Sequence, residues 1–121
     1  MANILVVDDD SNFRGIMKRV IHRLCSCSVK CAMSESEAWD RLSEELYDLV
    51  LLDLHIEGKK SWETLKKIGR LPSAPPVILV TCDDTKENAE FAKSLGAKDF
   101  LSKPIDFGRL KTSIDSVLRS K

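Results

Sequence analysis

Four short apolar runs, each ending on a polar residue, most constrain how this chain can fold. They are Ile4-Leu5-Val6-Val7 before Asp8 and Asp9, Leu49-Val50-Leu51-Leu52 before Asp53, Val77-Ile78-Leu79-Val80 before Thr81, and Phe100-Leu101-Ser102 before Lys103 and Pro104. As parallel strands of one sheet, the runs would place their carboxyl ends along one edge, where open α/β sheets hold their sites. Three carboxylates, a hydroxyl and an ammonium would then face one another. Such a set can hold a hard metal ion and a phosphoryl group.

Length and charge narrow the function classes. The 121 residues are enough for one domain with a two-sided core. The chain has 19 lysines and arginines and 19 aspartates and glutamates. Its net charge therefore does not favour binding to nucleic acid or to an anionic membrane surface. No basic leader precedes the first run, and no stretch approaches the roughly 18 apolar residues of a membrane span. We predict one cytoplasmic domain, residues 1–121, that binds neither nucleic acid nor membrane.

The cysteines do not predict a metal site. They are Cys25, Cys27, Cys31 and Cys82. Their spacing does not supply the paired tetrahedral ligands typical of zinc, and neither His22 nor His55 is an obvious fourth partner. Disulfides are rare in the cytosol. We therefore expect free, half-buried thiols in and beside a strand.

Strand-like runs alternate with segments of helical periodicity, which is typical of consecutive βα units around a parallel sheet. Ser28 to Ala32 add a further strand, and a polar loop from His55 to Lys60 follows Asp53. Right-handed crossovers would wrap helices over both faces. The pattern therefore predicts a doubly wound α/β domain of five strands and five helices.

Capping signals and apolar spacing locate the helices. The first helix follows Ser11 as N-cap, and the second opens with Ser34 and Glu37 at capping-box spacing and presents Ala38, Leu42 and Leu46 to the core. The third helix spans about Ser61 to Gly69, and the fourth spans about Thr85 to Leu95 and closes at Gly96. The last helix spans about Phe107 to Leu118 and presents Phe107, Leu110, Ile114 and Val117 to the core.

Together these motifs resemble the receiver domain of two-component response regulators. The resemblance covers essentially the whole chain and rests on four segments: Ile4 to Asp10, Leu51 to Leu54, Val80-Thr81, and Gly96 to Pro104. It implies a flavodoxin-like sheet with strand order 2-1-3-4-5. It also implies a signalling switch that accepts a phosphoryl group from a phosphohistidine on a sensor histidine kinase or histidine phosphotransfer protein.

The resemblance assigns a role to each residue at the sheet edge. Asp53 would be the phospho-acceptor and Lys103 its cationic partner. Magnesium (Mg2+) would be bound by Asp9, Asp53 and the backbone carbonyl of His55, with Asp8 acting through water. Thr81 and Phe100 would relay phosphorylation to a surface formed by the fourth helix, fifth strand and fifth helix, which would contact a downstream target or output domain. The Lys103-Pro104 bond would be cis.

The residues themselves support the same chemistry but leave alternatives. Asp8, Asp9 and Asp53 repel one another, so the cluster needs a cation or protons, and Mg2+ prefers oxygen ligands. A carboxylate can accept a phosphoryl group when the charge on its oxygens is neutralised. Asp10 or Ser11 is a plausible cap of the first helix, and Asp8 or Asp9 could merely cap it as well. Lys103 could be a surface lysine, and Phe100 could be a core aromatic.

The loop after Asp53 departs from the family pattern. Relatives often carry Met-Pro and later a glycine, whereas this chain has Ile56-Glu57 and Ser61. We expect a different loop shape, with Ser61 as N-cap of the third helix. His55 and Asp83 lie two residues beyond Asp53 and Thr81. We hypothesise that they tune the lifetime of the aspartyl phosphate; the alternative is two solvated loop side chains.

Three other functions compete with the switch. A receiver-fold interaction module would work without phosphorylation, but the intact polar set argues against it. A phosphatase of the haloacid dehalogenase type wants an aspartate two residues beyond the nucleophile, where this chain has His55. A flavin-binding relative wants a phosphate loop after the first strand, where the acidic pair would repel the cofactor. We expect no turnover of an external substrate.

Overall fold

Strands and helices alternate along the chain in the structure, a computed structural model that describes residues 1–119. The strands are β1 (Asn3–Val7), β2 (Ser28–Ala32), β3 (Leu49–Asp53), β4 (His55–Ile56), β5 (Lys59–Lys60), β6 (Val77–Thr81) and β7 (Asp99–Ser102). The helices are α1 (Ser11–Cys25), α2 (Glu35–Glu44), α3 (Trp62–Gly69), α4 (Lys86–Ser94) and α5 (Phe107–Arg119). No helix in this part of the chain has both the length and the apolar composition to cross a bilayer.

Five strands form one parallel sheet in the order β2-β1-β3-β6-β7. The two-residue strands β4 and β5 pair separately as an antiparallel hairpin between β3 and α3. Without that hairpin the order reads 2-1-3-4-5, so the predicted flavodoxin-like topology is confirmed. The register aligns the carboxyl ends, with Asp53 opposite Val80 and Thr81 opposite Ser102.

The core lies on both faces of the sheet. Alternate residues of the central strands face opposite sides: Leu5, Leu52 and Leu79 belong to one apolar cluster, and Val6 and Leu51 belong to the other. A strand buried on both faces has no polar alternation, which explains the continuous apolar runs. Each fully buried aliphatic side chain stabilises the fold by about 1.5–3 kcal/mol.

The structure decides between Asp10 and Ser11, the two candidate caps of α1. Asp10, not Ser11, is the N-cap, because its carboxylate accepts from the backbone N–H groups of Asn12 (3.0 Å) and Phe13 (3.4 Å). Ser11 is the first helical residue. Because Asp10 caps the helix, neither Asp8 nor Asp9 serves as its N-cap.

Two residues predicted to face the core are exposed instead. Leu46 is 75% exposed because α2 ends at Glu44, which leaves it outside the helical periodicity. Phe107, the first residue of α5, is 47% exposed, whereas Leu110 and Ile114 are buried as predicted. The predicted cap of α2 is confirmed, since the Ser34 hydroxyl accepts from the Glu37 N–H at 3.0 Å. Gly96 follows α4 with φ of 101°, as expected for a C-terminal glycine.

The expectation of four free thiols is wrong, because Cys25 and Cys27 form a disulfide at the end of α1. Ser26 adopts a left-handed conformation (φ 53°) that turns the chain back and brings the two Cα atoms to 5.2 Å, within bridging range. Cys31 and Cys82 remain free. Burial raises the pKa of the half-buried Cys31 thiol. Within residues 1–119, the one group of neighbouring candidate metal ligands contains aspartates and no cysteine.

Candidate functional site

An acidic cluster lies at the carboxyl edge of the sheet. Asp8 and Asp9 follow β1, and Asp53 ends the neighbouring strand β3. One carboxylate oxygen of each lies within 4.8 Å of the others. Asp8 and Asp53 are buried and Asp9 is exposed. Because buried carboxylates are costly unless paired, this cluster needs nearby positive charge or hydrogen-bond donors.

Lys103 supplies that positive charge. Its Nζ lies 2.7 Å from Asp8 Oδ2 and 3.3 Å from Asp53 Oδ2, and its side chain is 20% exposed. The same Nζ lies 4.0 Å from the centroid of the Phe13 ring, a favourable cation–π position. The Lys103-Pro104 peptide bond is cis. The structure thus brings Lys103 into the acidic cluster and not onto the open surface.

The charges of the cluster are unevenly balanced. Burial and the neighbouring Asp8 charge raise the pKa of Asp53, against the opposing effect of Lys103 and the His55 N–H. Burial lowers the pKa of Lys103, but the hydrogen bond to Asp8 and the two carboxylate charges outweigh it, so the net shift is upward. One ammonium therefore faces three carboxyl groups. The excess negative charge favours a further cation.

Backbone and side-chain donors fix the acidic residues on the α1 side. Asp8 Oδ1 accepts from the Asp10 N–H at 2.9 Å, and the Asp8 carbonyl accepts from Arg14 Nη1 at 2.8 Å. Asp9 Oδ2 accepts from the Glu57 N–H at 2.9 Å. Each donor limits the positions open to a carboxylate or its backbone, so this side of the site is preorganised.

The β4–β5 hairpin replaces the polar loop predicted after Asp53. Glu57 (φ 53°) and Gly58 (φ 77°) form its turn, and two consecutive positive φ angles are typical of a tight two-residue hairpin. The N–H of His55 donates to Asp53 Oδ1 at 3.2 Å. Ser61 precedes α3 as predicted, but its hydroxyl makes no capping bond, because it donates to the Asp53 carbonyl at 2.7 Å.

Thr81 and Phe100 occupy neighbouring strands. Thr81 ends β6 and is buried, and its Oγ1 accepts from the Asp83 N–H at 3.1 Å. Phe100 lies in β7, is half-buried, and packs against the core cluster that contains Leu79 and Ala92. The structure therefore places both predicted switch residues in the part of the sheet nearest α4.

His55 and Asp83, which lie two residues beyond Asp53 and Thr81, contact each other. His55 Nε2 lies 2.7 Å from Asp83 Oδ2, and Lys60 Nζ lies 3.9 Å from the same oxygen. The hydrogen bond with His55 is the main reason that the pKa of Asp83 is lowered, and the Lys60 charge adds to it. The two loop side chains are therefore paired with each other, and both remain partly exposed to solvent.

Four site residues were not predicted from the sequence. They are Phe13, Arg14, Lys60 and Asn88, whose side chain donates to the Asp83 carbonyl at 3.0 Å. Phe13 and Arg14 could have been found, because they lie in the first turn of the helix that follows the acidic pair. Lys60 and Asn88 could not, because only the folded loops bring them beside Asp83.

Comparison with known proteins decides the family. Residues 4–115 match the family described as response regulator receiver domain. The chain belongs to that family. It is 35% identical over 116 residues to the transcriptional regulatory protein ZraR of Escherichia coli (strain K12), which covers 96% of this chain and 26% of ZraR. It is 30% identical over 122 residues to the transcriptional regulatory protein MalR of Bacillus subtilis (strain 168), covering 100% of this chain and 52% of MalR.

Solved structures agree with the receiver fold. A CheY-like response regulator receiver domain protein from Methanospirillum hungatei JF-1 superposes with a TM-score of 0.89 at 26% identity, covering 99% of this chain and 95% of that one. A two-component response regulator from Clostridium difficile gives a TM-score of 0.91 at 24% identity, with 98% and 97% covered. This chain spans about a quarter of ZraR and about half of MalR. It is therefore a receiver domain of two-component signalling, and its relatives include transcriptional regulators.

Proposed function

We propose that this receiver domain is a phosphorylation-controlled switch with Asp53 as the acceptor. Its donor is a phosphohistidine on a sensor histidine kinase or histidine phosphotransfer protein. The observation that carries this proposal is Lys103 Nζ, 3.3 Å from Asp53 Oδ2, within a cluster of three carboxylates. That set combines a nucleophile with the positive charge that phosphoryl transfer requires.

The transfer step balances with the residues present. An Asp53 carboxylate oxygen attacks phosphorus, the P–N bond of the phosphohistidine breaks, and the histidine nitrogen departs with the bonding electron pair and takes up a proton. Lys103 is placed to neutralise charge on the phosphoryl oxygens. Hydrolysis then returns the Asp53 carboxylate and inorganic phosphate, which resets the switch without turnover of any external substrate.

The donor set of the acidic cluster fits Mg2+. All three side chains offer hard carboxylate oxygens, which this ion prefers, and a single ammonium stands against their charge. Asp9, Asp53 and the backbone carbonyl of His55 would hold the ion, with Asp8 acting through water. When bound, Mg2+ supplies positive charge to the phosphoryl oxygens.

The proposed readout runs through Thr81 and Phe100. The Thr81 hydroxyl would donate to a phosphoryl oxygen on Asp53, and Phe100 would move inward with it. The surface of α4, β7 and α5 would then change its population of conformers, because the phosphoryl group contacts one arrangement better than the other. A downstream protein or output domain would bind that surface.

His55 and Asp83 are proposed to set how long the phosphoryl group lasts. Their side chains meet 2.7 Å apart beside Asp53 and Thr81, where they can place or exclude the attacking water.

A single-domain chain and a cytoplasmic location remain predictions from the sequence.

Intact mass spectrometry tests the proposal. The protein is incubated with Mg2+ and acetyl phosphate, with Asp53→Asn as the acceptor-less variant and Asp40→Asn, an exposed position on α2, as the matched control. We expect one added phosphoryl group in the wild type and in Asp40→Asn, dependent on Mg2+ and reversible with time. Asp53→Asn should gain none. The same mass gain in Asp53→Asn would reject Asp53 as the acceptor.

A further inference from the structure

A side-chain contact between His55 and Asp83 joins the two loops that flank the phospho-acceptor. His55 begins the hairpin that follows Asp53, and Asp83 lies in the loop that follows Thr81. His55 Nε2 and Asp83 Oδ2 are 2.7 Å apart, and Lys60 Nζ approaches the same carboxylate at 3.9 Å. The hairpin thus presents two basic side chains to one acidic side chain of the neighbouring loop.

The hairpin side of this pair is firmly held. The Ser61 N–H donates to the Leu54 carbonyl at 2.7 Å, and the Ser61 hydroxyl donates to the Asp53 carbonyl at 2.7 Å. At the hairpin turn, the Glu57 N–H donates to Asp9 Oδ2 at 2.9 Å. The hairpin is therefore tied to both β3 and the acidic pair, so it can serve as a fixed anchor.

The Asp83 side links directly to the switch residue and to α4. The Asp83 N–H donates to Thr81 Oγ1 at 3.1 Å, and the Asp83 carbonyl accepts from Asn88 Nδ2 at 3.0 Å. Asn88 lies in the first turn of α4, where its own N–H donates to the capping Thr85 hydroxyl at 3.1 Å. Holding the Asp83 carboxylate therefore restrains the Thr81 hydroxyl and the start of α4 together.

We propose that the His55–Asp83 pair is a clasp that holds Thr81 and the start of α4 in their unphosphorylated arrangement. The inference rests on the proposed function, because the clasp opposes the movement of Thr81 toward a phosphoryl group on Asp53. That movement pulls the hydroxyl away from the Asp83 N–H and so strains the pair. The added phosphoryl charge also repels the Asp83 carboxylate. In the clasp the side chains of His55 and Asp83 act as positioning groups, whereas the backbone N–H of His55 donates to Asp53 Oδ1.

The expected effect is modest, because both side chains are partly exposed: 42% for His55 and 32% for Asp83. Exposed pairs of this kind contribute about a 1.5- to 5-fold change in an equilibrium. Breaking the clasp should raise the active-like population of the unphosphorylated protein by about that factor, while leaving the fold intact. A lifetime effect alone would not change the unphosphorylated protein.

Nuclear magnetic resonance of the unphosphorylated protein tests the clasp. Amide shifts of Thr81, Asp83, Asn88 and Ala89 are compared in the wild type, Asp83→Asn, His55→Ala and the double variant. We expect each single variant to move these shifts along the line toward the phosphorylated wild type, and the double variant to add little. Asp84→Asn, which removes a neighbouring exposed charge, is the matched control and should not move the Thr81, Asn88 and Ala89 shifts along that line. His55→Gln, which can still donate to Asp83, should restore most of the wild-type position.

Two results would overturn the clasp. One is that the amide shift changes in each variant are confined to the substituted residue. The other is that the shift changes of the double variant equal the sum of those of the two single variants. Mass spectrometry on the same samples, with acetyl phosphate and Mg2+, separates this outcome from failure of the proposed function. A wild type that gains a phosphoryl group while the variant shifts stay in place rejects the clasp alone. A wild type that gains none, either from acetyl phosphate or from a phosphohistidine donor, rejects the proposed function, and the clasp with it.

Discussion

The two sides of Asp53 are built differently. On the α1 side, Asp8 is 1% exposed, lies 2.7 Å from Lys103, and is bound through its backbone by Arg14. On the α4 side, the Thr81 hydroxyl accepts from the Asp83 N–H, and the Asp83 side chain is held by partly exposed contacts with His55 and Lys60. Buried charge pairs resist disruption, whereas exposed ones contribute little. The α1 side is thus suited to fixed electrostatics and the α4 side to movement.

Lys103→Met should give the largest effect, because it removes the only ammonium within hydrogen-bond distance of Asp53 among the described residues. We expect phosphorylation by acetyl phosphate to slow by about 100-fold, the usual scale for losing one preorganised charge partner. Time-resolved intact mass measures the rate.

Lys98→Met is the control for that experiment, since Lys98 is exposed and lies at the opposite end of β7. It should phosphorylate at the wild-type rate. Circular dichroism confirms that both variants are folded. A wild-type rate in Lys103→Met would mean that the α1 side does not provide the electrostatics assigned to it.

Asp53→Asn should stabilise the protein in the absence of Mg2+ by roughly 1 kcal/mol, the size of a typical single-site effect. The folded-state pKa of Asp53 is raised by burial and by Asp8, so its ionised form opposes folding. As pH rises from below the unfolded pKa of about 3.9, the unfolded state ionises first and wild-type stability falls. The free energy of unfolding of Asp53→Asn should not show this decrease with rising pH. Urea denaturation between pH 4 and pH 7 measures the difference.

Asp9→Asn serves as the comparison for that series. Asp9 is exposed, so solvent screens its charge and its removal should stabilise the protein less than removal of Asp53. Equal effects from the two variants would contradict the role of burial in the Asp53 shift.

Asn88→Ala should give the smallest effect and sharpen the contrast between the two sides. It removes the hydrogen bond to the Asp83 carbonyl, which should cost about 0.5–1 kcal/mol. Amide hydrogen exchange should increase from Asp83 to Ala89 and stay unchanged from Asp8 to Arg14. Faster exchange on both sides would show that the site moves as one unit.

Some local features could be predicted from the sequence, and others could not. Ser34 and Gly96 act locally, through a cap bond and a positive φ angle, so their roles were readable from neighbouring residues. Leu46 and Phe107 were misjudged because helical periodicity carries no information beyond the helix or at its exposed first turn. The Cys25–Cys27 disulfide was missed because it depends on the left-handed turn at Ser26.

The sequence by itself determined the architecture and which residues come together at the site. Buried parallel strands need continuous apolar runs, and the polar residue after each run is carried to a shared edge, so the pattern of runs alone groups Asp8, Asp53, Thr81 and Lys103. Only the tertiary structure decided how the loops at that edge meet. The pairing of His55 with Asp83, 28 residues apart in sequence, arises from the hairpin geometry and side-chain directions. Neither is encoded in a local periodicity or a cap.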